Sequence, residues 1–189
     1  MSLVPAFEIG LWNAWIFMVC SLIPVIFLFM PLVIRGHEEG IAFTVNFSKM
    51  QKNAFSTNQL IYFIIVIYSI FVPLKLGTVW FYVGLPVFMV ALIPYLIMTV
   101  NFVTTPLDQP VTTGIYRYSR HPSYLLMSLV LLGTGIASAS WIILLFSVIS
   151  KILTSLFAAA EERYCLDKYG EAYREYMNRT PRWIGLPKS

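Results

Sequence analysis

Five apolar runs, most of them near the length of a membrane-crossing helix, leave this chain few folds to choose from. A spanning helix needs roughly 20 mainly apolar residues to cover a hydrocarbon core of about 30 Å. The runs are Trp12 to Ile34, Thr57 to Pro73, Thr78 to Val100, Pro122 to Ala137 and Trp141 to Ala160. Helices are the natural solution for such runs, because each satisfies its own backbone polar groups without water. The expectation is an all-α, polytopic membrane helix bundle of about five transmembrane helices, forming one domain over residues 1–189. Composition agrees: 58% of residues are hydrophobic and 12% charged, where a soluble domain carries about 25% charged residues. The mean hydropathy is +0.74. Pro24 and Pro31 predict a kink or a broken end in the first run, and Pro86 and Pro94 lie within the third.

Charge placement predicts orientation. Arg35, Lys49, Lys52, Arg117, Arg120 and the six basic residues after Ala160 fall on one side of a five-span arrangement, and Lys75 on the other. This puts the N-terminus outside and the C-terminal tail, with any active site, on the cytoplasmic side. The glycosylation-like triplets Asn46-Phe47-Ser48 and Asn178-Arg179-Thr180 would then be silent. The first ten residues hold Glu8 and no Lys or Arg, so no cleavable signal peptide is expected. With two cysteines, Cys20 and Cys165, and two histidines, His37 and His121, neither a disulfide nor a metal site is expected, and no nucleic-acid module is present.

Three segments could carry chemistry. In the first, Gly114, Tyr116, Arg117, Arg120, His121, Pro122 and Tyr124 crowd the junction between a Thr- and Pro-rich loop, residues 101–121, and the fourth run. Pro122 suits a first helical position. The N–H groups after it make an anion site, to which Arg120 and His121 add donors. The plainer reading is a basic and aromatic anchor at the headgroups. The second segment is Glu161-Glu162, read as the end of the fifth helix, where carboxylates oppose the helix dipole and would be relieved by a cationic ligand. A helix simply continuing into solvent accounts for them as well. The third is the tail, Tyr164 to Arg182, with aromatic and apolar residues at helical spacing and a break at Gly170. It reads as an amphipathic segment lying on the membrane or folding over the loop. Lys151 lies midway along the fifth run and must face the bundle, water or a partner. Gly133-Thr134-Gly135 reads as close helix packing, and His37-Glu38-Glu39 as a solvated loop.

Taken in order, Gly-x-Tyr-Arg-x-x-Arg-His-Pro-x-Tyr from Gly114, then a helical hairpin, Glu161-Glu162, and Tyr169-Gly170-x-x-Tyr173-x-x-Tyr176 resemble the isoprenylcysteine carboxyl methyltransferases and the related phospholipid methyltransferases. The resemblance covers Gly114 to about Arg182. It implies S-adenosylmethionine as cofactor and residues 101–182 as the cofactor-binding and catalytic portion. It implies that His121, Pro122 and Tyr124 line the cofactor, that Glu161 or Glu162 receives its amino group, and that Tyr116 and Arg120 support the pocket. Arg182 sits where the family's tail arginine helps hold the substrate. Arg120, Glu162 and Arg182 are thus the candidate catalytic residues. One departure is Leu126, where the family usually has glycine; it bears on how closely a cofactor approaches that helix.

The function so implied is methyl transfer to a lipophilic or membrane-embedded acceptor, namely an isoprenylcysteine carboxylate, a phospholipid amine or a thiol, with membrane lipids as further partners. Two other readings fit parts of the pattern. Membrane sterol-type reductases using NADPH also carry His-Pro-x-Tyr, although paired glutamates repel a 2′-phosphate. A non-enzymatic membrane scaffold would leave Glu161 and His121 replaceable.

Overall fold

A computed structural model describes residues 7–34, 47–106 and 108–187. Among these the chain forms six α-helices: α1 (Trp15–Ile34), α2 (Lys49–Ser69), α3 (Val79–Thr104), α4 (Pro122–Ala137), α5 (Trp141–Tyr169) and α6 (Glu171–Arg179). A 3-10 turn, Gly114–Arg117, precedes α4. Arg35, the group His37-Glu38-Glu39 and Asn46 lie outside the described residues, so the readings placed on them are not addressed.

The helix limits follow local chemistry. α2 starts at Lys49, ahead of the apolar run, because Ser48 and Gln51 form a reciprocal capping box with bonds of 3.3 and 3.0 Å. α5 does not stop at Ala160 but runs on to Tyr169, and Gly170 (φ +56°) breaks it from α6. Glu161 and Glu162 therefore lie inside a helix, not at its end, and the dipole argument does not apply to them. α1 continues through Pro24 and Pro31, and α3 through Pro86 and Pro94.

α4 is the central element, packed between α3 and α5; α2 flanks α5 and α1 flanks α3. The α3–α4 approach depends on glycine. A Cβ on Gly84 would stand 2.2 Å from the Ala137 backbone nitrogen, and one on Gly133 2.5 Å from that of Phe88. Phe17 of α1 stacks on Phe88, with centroids 4.2 Å apart. The two ends of the bundle are distinct. At one, the Lys75 N–H bonds the Ala137 carbonyl beside the Ser138–Ser140 hairpin, where Ala139 takes φ 51°. At the other, Arg163 of α5 donates to Gln51 of α2 at 3.4 Å, next to the start of α4.

The expectation of about five transmembrane helices is not met. Among the described residues two helices are long and apolar enough to cross a membrane, α3 (Val79–Thr104) and α5 (Trp141–Tyr169). Buried surface accounts for only 39% and 33% of their most apolar stretches, so these helices turn most of it outward, as a protein associated with a membrane does. α4 has 16 residues and rises about 24 Å, short of a hydrocarbon core of about 30 Å. It also buries Leu126, Val130, Leu131 and Thr134 inside the protein, which makes it a core helix. The first turns of α2 carry Lys49, Gln51, Lys52 and Asn53, which dilute its apolar face.

Gly133→Val and Gly84→Val are each expected to lower stability by about 1–3 kcal/mol or more, since backbone atoms must move apart. Gly135→Ala, whose nearest neighbour atom is in the Leu144 side chain, should cost less. Thermal unfolding of the three variants in detergent checks the order.

Candidate active site

The loop that enters α4, the middle of α5 and the chain after α6 meet at one end of the bundle. Pro181 to Gly185 forms a strap over the loop: the Arg120 N–H bonds the Pro181 carbonyl (3.0 Å), and the Gly185 N–H bonds the Tyr118 carbonyl (3.0 Å). Ser119 Oγ donates to the Arg182 carbonyl at 3.3 Å and accepts from the His121 N–H at 3.2 Å. Tyr176 of α6 donates from its hydroxyl to the carbonyls of Tyr116 (2.7 Å) and Ser119 (3.3 Å). Tyr173 and Tyr176 are buried, and α6 folds over the loop.

Glu162 is at the centre, its side chain 4% exposed. Arg120 Nη2 lies 3.2 Å from its Oε1, and Arg182 Nε 3.0 Å from the same oxygen. Arg182 Nη2 holds Oε2, closing a two-point guanidinium–carboxylate pair. His121 Nε2 is 3.2 Å from Glu162 Oε1, and its Nδ1 is 3.0 Å from Glu161 Oε2. The imidazole thus bridges both glutamates of α5. Burial alone would lower the His121 pKa, but the two carboxylate hydrogen bonds prevail and raise it to about 9. The ring at neutral pH is an imidazolium donating from both nitrogens.

Aromatic rings frame the cluster. Tyr124 stacks parallel to His121 at 5.5 Å, and Trp183 of the strap leans on the other side at 5.8 Å. Phe157 meets Tyr124 edge-on at 5.2 Å. Burial first, and the Glu161 charge second, hold the Tyr116 phenol well above its ordinary pKa. Pro122 is at the first position of α4, as its missing N–H suits. Leu126 packs with Tyr95 and Met98 of α3.

All the residues singled out in the sequence, Tyr116, Arg120, His121, Pro122, Tyr124, Glu161, Glu162 and Arg182, are gathered in or beside this cluster. Trp183, Ser119 and Tyr176 were not singled out for the site. The usable signal for Trp183 was an aromatic next to Arg182 in a segment bounded by Pro181 and Pro187. No group of three or more His, Cys, Asp or Glu able to hold a metal occurs among the described residues.

Residues 78–172, which contain the loop, the α4–α5 hairpin and both glutamates, match the phospholipid methyltransferase family. The chain belongs to that family. Protein-S-isoprenylcysteine O-methyltransferase of Schizosaccharomyces pombe is 36% identical over 77 residues, which make up 40% of this chain and 33% of that protein. The chain therefore spans about a third of the length of the curated relative it matches. The two findings bear out the likeness at the level of the superfamily; the family match begins earlier than Gly114, at the start of α3, and ends at residue 172, before Arg182.

Two measurements probe the cluster. Glu162→Gln leaves Arg120 and Arg182 without their buried counter-charge and should cost about 3 kcal/mol or more; Glu161→Gln, at a side chain 31% exposed, should cost clearly less in the same thermal unfolding series. Because the folded-state pKa of His121, about 9, lies above the ordinary 6.5, its contribution is complete at pH below 6.5 and is lost as pH rises through about 9. The unfolding midpoint of the wild type should fall across that window, and that of His121→Asn should fall less.

Proposed function

We propose that the protein transfers a methyl group from S-adenosylmethionine to a lipophilic acceptor at the membrane. The observation that carries this is the His121–Glu161–Glu162 bridge between α4 and α5, within the stretch that matches the family. The side chains suit the cofactor. Glu161 is partly exposed, with one oxygen against His121, and a carboxylate has lone pairs to spare for an ammonium. Arg120 Nε is buried with no hydrogen-bond partner among the described residues, and it suits a carboxylate. The N–H groups of Ser123 and Tyr124, in the first turn of α4, have no partner within the helix and add to that anion site.

When bound, the cofactor supplies an electrophilic methyl group on a sulfonium; the acceptor's lone pair forms the new bond as the carbon–sulfur bond breaks. In this reading Glu161 takes the amino group, while Tyr116, His121, Pro122 and Tyr124 line the donor side. Arg120 and Glu162 fix the geometry, since alignment of donor and acceptor is the main source of rate. Arg182, its side chain 42% exposed, is the cation of the cluster most open to the acceptor. Residues 101–182 would form the cofactor-binding and catalytic portion. The site end of the bundle also carries Lys49, Lys52, Arg117 and Arg163, so the positive-inside rule favours a cytoplasmic site. The acceptors in keeping with the family are an isoprenylcysteine carboxylate, a phospholipid amine and a thiol.

Calorimetry of the full chain in detergent tests the reading. S-adenosylmethionine should bind, and Glu161→Gln and His121→Ala should each weaken it roughly tenfold or more. Binding of NADPH and not of the methyl donor would sink it.

A further inference from the structure

Lys151 sits in the apolar stretch of α5, where an ammonium is costly unless something receives it. It lies three helical turns before Glu162, about 16 Å along the axis and on the same face. Its side chain reaches towards the site: Nζ stands 3.2 Å from the centroid of the Trp183 ring, which itself rests against His121. Yet Nζ is shielded and has no hydrogen-bond partner among the described residues. The nearby hydroxyls do not receive it, although their oxygens could accept. Thr154 and Ser155 both donate to the Lys151 carbonyl, and Ser150 donates to Asn58. The Trp183 face meets the charge from one side only, and the ammonium retains N–H donors for an acceptor.

Charge completes the picture. Arg120, His121, Lys151 and Arg182 surround the site with positive charge, and among the described residues the carboxylates that meet them are Glu161 and Glu162. Lys151 Nζ bonds neither carboxylate: Arg120, His121 and Arg182 meet Glu162, and His121 meets Glu161. A sulfonium donor makes the excess larger. An anion is what the arrangement lacks.

We propose that Lys151 is an acceptor-recognition residue, its ammonium docking an oxyanion carried by the lipophilic acceptor beside the Trp183 ring. This rests on the methyltransferase reading of the site. The oxyanion is a carboxylate or a phosphate, and both present the same chemistry to an ammonium. A purely structural Lys151, pinning the strap through Trp183, would bind charged and neutral acceptors alike.

The test compares two matched probe pairs on the full chain in a non-ionic detergent: an S-prenylated N-acetylcysteine against its methyl ester, and a long-chain alkyl phosphate against the parent alcohol. Wild type should bind the anion of one pair about tenfold or more tightly than its neutral partner. That pair tells carboxylate from phosphate. Lys151→Met should abolish the preference and Lys151→Arg should retain most of it, with S-adenosylmethionine affinity unchanged in both. Lys151→Gln serves the same comparison should the Met variant not fold. No preference in wild type, or a preference that survives loss of the charge, overturns the proposal. Absence of methyl-donor binding in wild type overturns the enzymatic reading on which it rests, and calorimetry of the donor alone separates the two failures.

Discussion

A carboxylate withdrawn from water must be paired, and in this protein the pairing of Glu162 organises everything around it. The cations that meet it come from two chain segments far apart in sequence: Arg120 and His121 from the loop entering α4, and Arg182 from the strap after α6. Because α5 carries the acid, both segments are held to one helix at one level of the bundle. The backbone bonds between Arg120 and Pro181, and between Gly185 and Tyr118, then follow as the strap lies along the loop. A buried ion pair of this kind contributes less net stability than its contacts imply, because desolvation offsets the attraction. Its value lies in geometry, since the Arg182 pair ties the strap to α5 at one point.

That geometry needs α4 to be fixed, and glycine supplies the means. Gly84 and Gly133 let the α3 and α4 backbones approach until no Cβ fits between them. Such contact is driven by close van der Waals packing, which remains effective where lipid cancels the hydrophobic driving force between helices. The consequence is a division of labour. α4 is short and largely internal, while α3 and α5 turn much of their apolar surface outward. The start of α4, with Pro122 and the N–H groups of Ser123 and Tyr124, is thereby placed against Glu161 and Glu162.

Trp183 joins this ionic cluster to the apolar interior. One side of its ring faces His121, and Lys151 stands over it. A cation in the apolar stretch of α5 is thus placed one ring away from the imidazole, and the strap that carries Arg182 is tied at two points at once. Tyr173 and Tyr176 hold α6 over the loop, so the polar residues Glu171, Arg174, Glu175 and Arg179 remain on the outside.

The sequence alone determined the helical class, the Gly114 to Tyr124 motif, Glu161-Glu162 and the break at Gly170, because each depends on local pattern or on residue types that chemistry restricts. Hydropathy could not separate α4, an internal helix, from a span: burial by neighbours and exposure to lipid demand the same residues. It placed the end of the fifth helix at Ala160, since charge reads as solvent until a partner such as Arg120 or Arg182 is known. The start of α2 was misplaced for a similar reason, as the Ser48–Gln51 box is polar and lay outside the apolar run. Only the tertiary structure decided that His121 bridges both glutamates, that Leu126 belongs to the α3 contact, and that Trp183 lies between His121 and Lys151. These contacts join residues 28 to 62 positions apart, and no local pattern in a single chain encodes which distant partner a charge or a ring will meet.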